Sequence, residues 1–214
     1  MKLNKYIDHT ILKADATKKE IINIVNEAKE LDTYSVCVNG CYTSFAKELL
    51  EGSDIKVCTV IGFPLGQSST ETKVFETQNA IDNGADEIDM VINIAKLKDG
   101  KFDYVTEEIK QIKKVVGPNR VLKVIIETCL LNEGEKIKAC ECVIKGEADF
   151  VKTSTGFSTG GATEEDIKLL KSIVKDTIKI KASGGVKDQH TAKIMIEAGA
   201  DRIGASSSRK IIEG

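Results

Sequence analysis

The chain has 214 residues, 41% of them hydrophobic and 30% charged, and a formal net charge of −2. That balance argues against nucleic acid or an anionic membrane as a general partner, and no apolar run approaches the roughly 18 residues of a membrane span. The opening segment, Met1-Lys2-Leu3-Asn4-Lys5-Tyr6, has no apolar stretch of signal-peptide length, so a cytoplasmic protein with its six cysteines as reduced thiols is expected.

In chain order, strand-like runs fall at residues 6–10, 35–39, 56–61, 87–92, 121–127, 150–153, 178–182 and 202–205. Segments with helical spacing lie between them, as in Ile21, Ile22, Ile24, Val25, Ala28 and Leu31. Thr17-x-x-Glu20 and Ser68-x-x-Glu71 read as capping boxes, and Asn132-x-x-Glu135 is a looser form of the same signal. A weak repeat, Gly84-Ala85-Asp86, Gly146-x-Ala148-Asp149 and Gly199-Ala200-Asp201, closes a helix and opens a strand each time. Its glycine suits a left-handed cap. Pro64 and Pro118 fall in predicted connections, and no linker divides the chain, so residues 1–214 read as one domain. Eight strand–helix units about 20 to 35 residues apart predict an α/β fold, a single (β/α)8 barrel with an additional N-terminal helical segment. A doubly wound open sheet is the competing architecture. It usually has fewer strands and a G-x-G-x-x-G turn, and none follows any strand here.

Three of these runs carry a lysine among apolar residues: Lys123, Lys152 and Lys181; a fourth carries Asp89. Strands covered on both faces are normally near-continuous apolar runs, so each buried charge needs a reason. Either the charges are paired structural ions, or they form a site whose proton affinities are perturbed. For Lys123, with Asp89 and Glu127 available as partners, the structural role is favoured. Lys152 and Lys181 lie near the C-terminal ends of neighbouring predicted strands, where barrel active sites form. Two ammonium groups about 6 Å apart repel by roughly 3 kcal/mol at an effective dielectric of ~20. Repulsion of that size raises the free-amine fraction on the order of 100-fold, and a free amine is what carbonyl addition requires.

The last three strands run into glycine- and hydroxyl-rich loops: Thr153-Ser154-Thr155-Gly156-Phe157, Ser183-Gly184-Gly185 and Gly204-Ala205-Ser206-Ser207-Ser208. Exposed N–H groups and hydroxyls there can cradle a phosphate. Metal catalysis is not expected. His9 and His190 are the chain's two histidines, and neither Cys37-x3-Cys41 nor Cys140-x-Cys142 has zinc-site spacing.

These motifs together resemble deoxyribose-phosphate aldolases. Asp8-His9-Thr10-x-Leu12-Lys13, Val36-Cys37-Val38-Asn39, Gly62-Phe63-Pro64-Leu65-Gly66, Glu87-Ile88-Asp89-Met90-Val91, Lys123-Val124-Ile125-Ile126-Glu127-Thr128, Val151-Lys152-Thr153-Ser154-Thr155-Gly156-Phe157 and Lys181-Ala182-Ser183-Gly184-Gly185-Val186 follow the family's order and span nearly the whole chain. The resemblance implies a class I aldolase with no metal or organic cofactor. Its reaction is the reversible cleavage of 2-deoxy-D-ribose 5-phosphate to D-glyceraldehyde 3-phosphate and acetaldehyde, in deoxyribonucleotide catabolism. It implies Lys152 as the Schiff-base lysine, Lys181 as the neighbour that perturbs it, and Asp89 as the carboxylate that relays protons through water. Gly156, Gly184, Gly185, Gly204, Ser206 and Ser207 would bind the substrate, a small sugar phosphate, and a homodimer is a candidate assembly. Some members carry a longer tail with a terminal tyrosine. This sequence ends at Ile211-Ile212-Glu213-Gly214, so that role is left without a residue. Two rival readings remain: another Schiff-base barrel lyase, against which the loop after Lys152 speaks, and a silent sugar-phosphate-binding barrel, which would gain nothing from paired lysines.

Overall fold

The computed structural model describes residues 2–214, and local signals set most of its boundaries. Thr17 accepts the Glu20 N–H while the Glu20 carboxylate accepts the Thr17 N–H, a complete capping box that opens α1 (Lys18–Leu31). Asn132 and Glu135 close the same reciprocal box on α6 (Glu133–Lys145), so the looser sequence signal is a full cap. The Ser68 reading is corrected by one residue. Ser69, not Ser68, accepts from the Thr72 N–H and starts α3 (Thr70–Asp82).

The remaining helices are α2 (Thr43–Leu49), α4 (Ile94–Lys98), α5 (Phe102–Val116), α7 (Glu164–Val174), α8 (Gln189–Ala198) and α9 (Ser208–Glu213). Eight strands alternate with them: β1 (Ile7–Ile11), β2 (Ser35–Val38), β3 (Lys56–Ile61), β4 (Glu87–Val91), β5 (Val121–Ile125), β6 (Phe150–Lys152), β7 (Lys179–Ser183) and β8 (Arg202–Ala205). All neighbouring strands pair in parallel, and β8 pairs with β1 to close the barrel. The extra N-terminal segment is one 3-10 turn, Leu3–Tyr6.

The Gly-x-Asp repeat does more than turn the chain. Asp86, Asp149 and Asp201 each accept, through a side-chain oxygen, the backbone N–H of Val57, Leu122 and Ile180 at the start of the preceding strand, at 2.9, 2.7 and 2.9 Å. Each aspartate also donates its own N–H to that same residue's carbonyl. A side chain thus staples β3 to β4, β5 to β6 and β7 to β8 at the N-terminal end of the barrel. The glycine reading holds at Gly84 (φ 92°) and Gly199 (φ 120°) but not at Gly146, where Glu147 takes the left-handed position at φ 60°.

Leu, Ile and Val side chains from the outer faces of the strands pack against the helices, with Ile88, Val124, Val151 and Ile180 meeting Ile109, Ile112 and Ile167 in one continuous core. The inner faces are different. They carry Asp8, Glu87, Asp89, Lys123, Lys152, Lys181 and Arg202, all at most 5% exposed. Burying charge is tolerable only when it is paired and hydrogen-bonded, and that requirement defines the centre of the barrel.

Candidate active site

Register places the charges. Asp89 stands level with Lys123 on β5, Lys152 with Lys181 on β7, and Lys181 with Arg202 on β8. Asp89 Oδ1 accepts from Lys123 Nζ at 2.9 Å and Cys58 Sγ at 3.2 Å, while Oδ2 accepts from both Lys152 Nζ and Lys181 Nζ at 2.8 Å. Asp8 pairs with Lys181 and with Arg202 Nη1 at 2.8 Å, and accepts from Ser35 Oγ at 2.7 Å. Glu87 bridges Lys123 at 2.5 Å and Arg202 at 3.3 Å. The Arg202 guanidinium also stacks 3.4 Å from the centre of the Tyr34 ring.

Two expectations change here. The Lys152 and Lys181 ammonium groups do not face each other bare, because one carboxylate oxygen lies between them. Glu127 is not a partner of Lys123. It sits at φ 54°, outside the strand's alternation, and accepts instead from Thr155 N and Oγ1.

Burial alone would raise the proton affinity of Asp89. The ammonium groups of Lys123, Lys152 and Lys181 overcome that and hold its carboxyl well below the usual range. Asp8 is likewise held far down against burial, by Lys181, Arg202 and Lys123. Burial would strip the proton from Lys181, but Asp8 and Asp89 more than offset it and keep Lys181 an ammonium. The cluster brings together four basic side chains (Lys123, Lys152, Lys181, Arg202) and three acidic ones (Asp8, Glu87, Asp89).

Lys152 differs from the other three. Among the described residues it has one carboxylate partner, where Lys181 and Arg202 have two and Lys123 three. It also reaches a cavity of about 330 Å3 at the C-terminal end of the strands, lined by Thr155, Gly156, Gly184, Gly185, Gly204 and Ser206 among others. Lys181 and Asp89 lie behind that cavity, and Ser207, next to α9, stands outside its lining. Glycine is needed at two places for steric reasons. A Cβ on Gly204 would come within 3.0 Å of Lys181 Cε, and one on Gly161 would sit 2.2 Å from the Gly184 carbonyl oxygen, where the β6 and β7 loops cross. The edge-to-face pair Phe63–Phe157, 5.3 Å between centroids, joins the β6 loop to the segment after β3.

Thr10, Leu12, Lys13, Thr155 and Phe157, which lie in the quoted motifs but were given no binding role of their own, also line the cavity, as does Lys187, which no motif contained. Asp8, Glu87 and Arg202 could have been found by the rule that found the lysines, a charge inside a strand. Cys37, Cys58 and Asp89 bring potential metal-ligand atoms within 4.8 Å of one another, all buried. Three ammonium groups already occupy the Asp89 oxygens, which makes that spot electrostatically hostile to a cation.

No helix among the described residues is long and apolar enough to cross a membrane. A family model described as DeoC/LacD family aldolase matches residues 2–214. The deoxyribose-phosphate aldolase of Finegoldia magna is 60% identical over 214 residues, covering 100% of both chains. Among solved structures, an aldolase named QR15 matches with a TM-score of 0.94 and 48% identity, over 99% of this chain and 94% of its own. The deoxyribose phosphate aldolase of Aeropyrum pernix, described as a unique tetramer, matches with a TM-score of 0.90 and 33% identity over 99% and 89%. Barrel, lysine-lined cavity and full-length likeness agree, and the chain belongs to the DeoC/LacD family of aldolases.

Proposed function

We propose that the protein cleaves 2-deoxy-D-ribose 5-phosphate reversibly to D-glyceraldehyde 3-phosphate and acetaldehyde through a Schiff base on Lys152, a step of deoxyribonucleotide breakdown in the cytoplasm. The observation that carries this reading is that Lys152 alone among the four basic side chains of the central cluster lines the cavity. Lys152 has the fewest carboxylate partners of the four, so engaging its amine with a substrate breaks the least ion pairing. Its amine adds to the C1 aldehyde, and loss of water gives an iminium that withdraws electrons from C2. The C3 hydroxyl gives up its proton, the C2–C3 bond breaks, and C3 leaves as the aldehyde carbon of glyceraldehyde 3-phosphate. The electron pair remains as an enamine, which is protonated on C2 and hydrolysed to acetaldehyde and free Lys152.

Asp89 Oδ2 touches both lysine Nζ atoms, so a proton passing between Lys152 and Lys181 has a one-atom bridge. Backbone N–H groups and hydroxyls of the Gly184-Gly185 and Gly204–Ser206 loops, with Ser207 beside them and the exposed Lys187, suit the phosphate, while Gly156 borders the sugar. The assembly proposed is a homodimer, and sedimentation should show two copies; a monomer at working concentration would count against it.

Borohydride reduction in the presence of acetaldehyde should fix one two-carbon adduct, mapped by mass spectrometry to Lys152. Lys152→Ala should abolish acetaldehyde release from deoxyribose 5-phosphate while the fold persists. A sole stoichiometric adduct on Lys123 or Lys181 would overturn the assignment.

A further inference from the structure

Glu127 is 2% exposed, yet among the described residues no lysine, arginine or histidine lies within salt-bridge distance of it. A buried carboxylate without a cation is costly, and a non-glycine residue at φ 54° adds backbone strain. Apart from the Cys129 thiol at 4.0 Å, the side-chain carboxylate has one neighbour. Glu127 Oε2 accepts the Thr155 hydroxyl at 2.5 Å, and Oε1 accepts the Thr155 N–H at 3.2 Å. Thr155 lies three residues beyond Lys152 and lines the same cavity.

A threonine hydroxyl has one proton and two lone pairs. The proton goes to Glu127, and one lone pair accepts the Phe157 N–H at 3.0 Å. One lone pair is left, on a residue that lines the same cavity as Lys152. We propose that Glu127 is a positioning residue acting through Thr155: it draws the hydroxyl proton away from the cavity and leaves that oxygen as an acceptor for a hydroxyl of the bound sugar. The inference rests on the Schiff-base reading of Lys152. It gives the site a pure acceptor for a carbohydrate O–H, which the lysine-saturated Asp89 does not offer.

The two steps of the reaction separate this role from a merely structural one. Acetaldehyde has no hydroxyl, so Lys152 in Glu127→Gln should form its reducible adduct at the unaltered rate. Cleavage of deoxyribose 5-phosphate needs the acceptor and should slow by about tenfold in Glu127→Gln, where an amide replaces the carboxyl group that holds the Thr155 hydroxyl. Thr155→Val should lose more, and Thr155→Ser should recover most of the activity. Glu127→Gly keeps the left-handed backbone without the carboxylate and should show the same split if Glu127→Gln folds poorly. Equal rates of cleavage in wild type and a folded Glu127→Gln, or parallel losses in adduct formation and cleavage, would overturn the proposal. Absence of an adduct on Lys152 in the wild type would instead overturn the Schiff-base reading.

Discussion

One oxygen atom, Asp89 Oδ2, receives two ammonium groups, and this makes the central charges testable one residue at a time. Lys181→Met removes one of the two ammonium groups that share Asp89 Oδ2 and leaves three basic side chains for three acidic ones. Asp89 Oδ2 lies between the two ammonium groups, so the effect is smaller than bare repulsion would give, and adduct formation at neutral pH should fall by about tenfold. An unaltered rate in a folded variant would mean that Lys181 acts by contact rather than by charge. Ser206→Glu tests the other end of the cavity. A carboxylate there should raise KM for deoxyribose 5-phosphate well above that for deoxyribose, and equal losses for both sugars would remove the serine from phosphate binding. Lys123, Lys152, Lys181 and Asp89 are legible in sequence because a charge inside an apolar run stands out. Glu127 is misread for a local reason. Counting alternate residues from Lys123 assumes an extended backbone, and the left-handed turn at Glu127 breaks the count.

Among whole elements, α3 and α5 meet through a buried ion pair, Lys73–Glu108 at 2.9 Å, and Lys73 also donates to the Val91 carbonyl at the end of β4. Neither side chain of the pair has measurable exposure. Lys73→Met should cost about 3–5 kcal/mol in urea unfolding because it strands a buried carboxylate, whereas adding Glu108→Leu should recover much of the loss. A single variant within 1 kcal/mol of wild type, a threshold below the usual range for a broken buried pair, would show the pair to be idle. Strand order and approximate limits were legible because apolar runs and glycine turns alternate so regularly. The aspartate staples were not, since a side chain that bonds the previous strand leaves no periodic trace. The same holds for Glu147, which takes the left-handed position that the repeat assigns to glycine.

For the molecule as a whole, the central cluster dictates how stability answers to pH. Asp8 and Asp89 titrate lower folded than unfolded, so their contribution is complete above the ordinary 3.8 and is lost as pH falls through their folded values. Lys181 and Lys123 titrate higher folded, so their contribution is complete below the ordinary 10.5 and is lost only as pH rises beyond it. Urea midpoints should therefore drop below about pH 4. Asp8→Asn should blunt that drop while lowering the midpoint at pH 7, and an acid limb identical in the variant would place the sensitivity elsewhere. Barrel closure itself was within reach of the sequence, but the packing of seven charges into its interior was visible only in part. That packing depends on register between strands far apart in the chain.

The three aspartate staples lie at one mouth of the barrel and the lysine-lined cavity at the other. In engineering terms the two ends are separate dials. Tightening the stapled rim, for instance by giving Asp201 a lysine neighbour like those that Lys47 and Lys113 provide for Asp86 and Asp149, should add heat tolerance and leave turnover where it was.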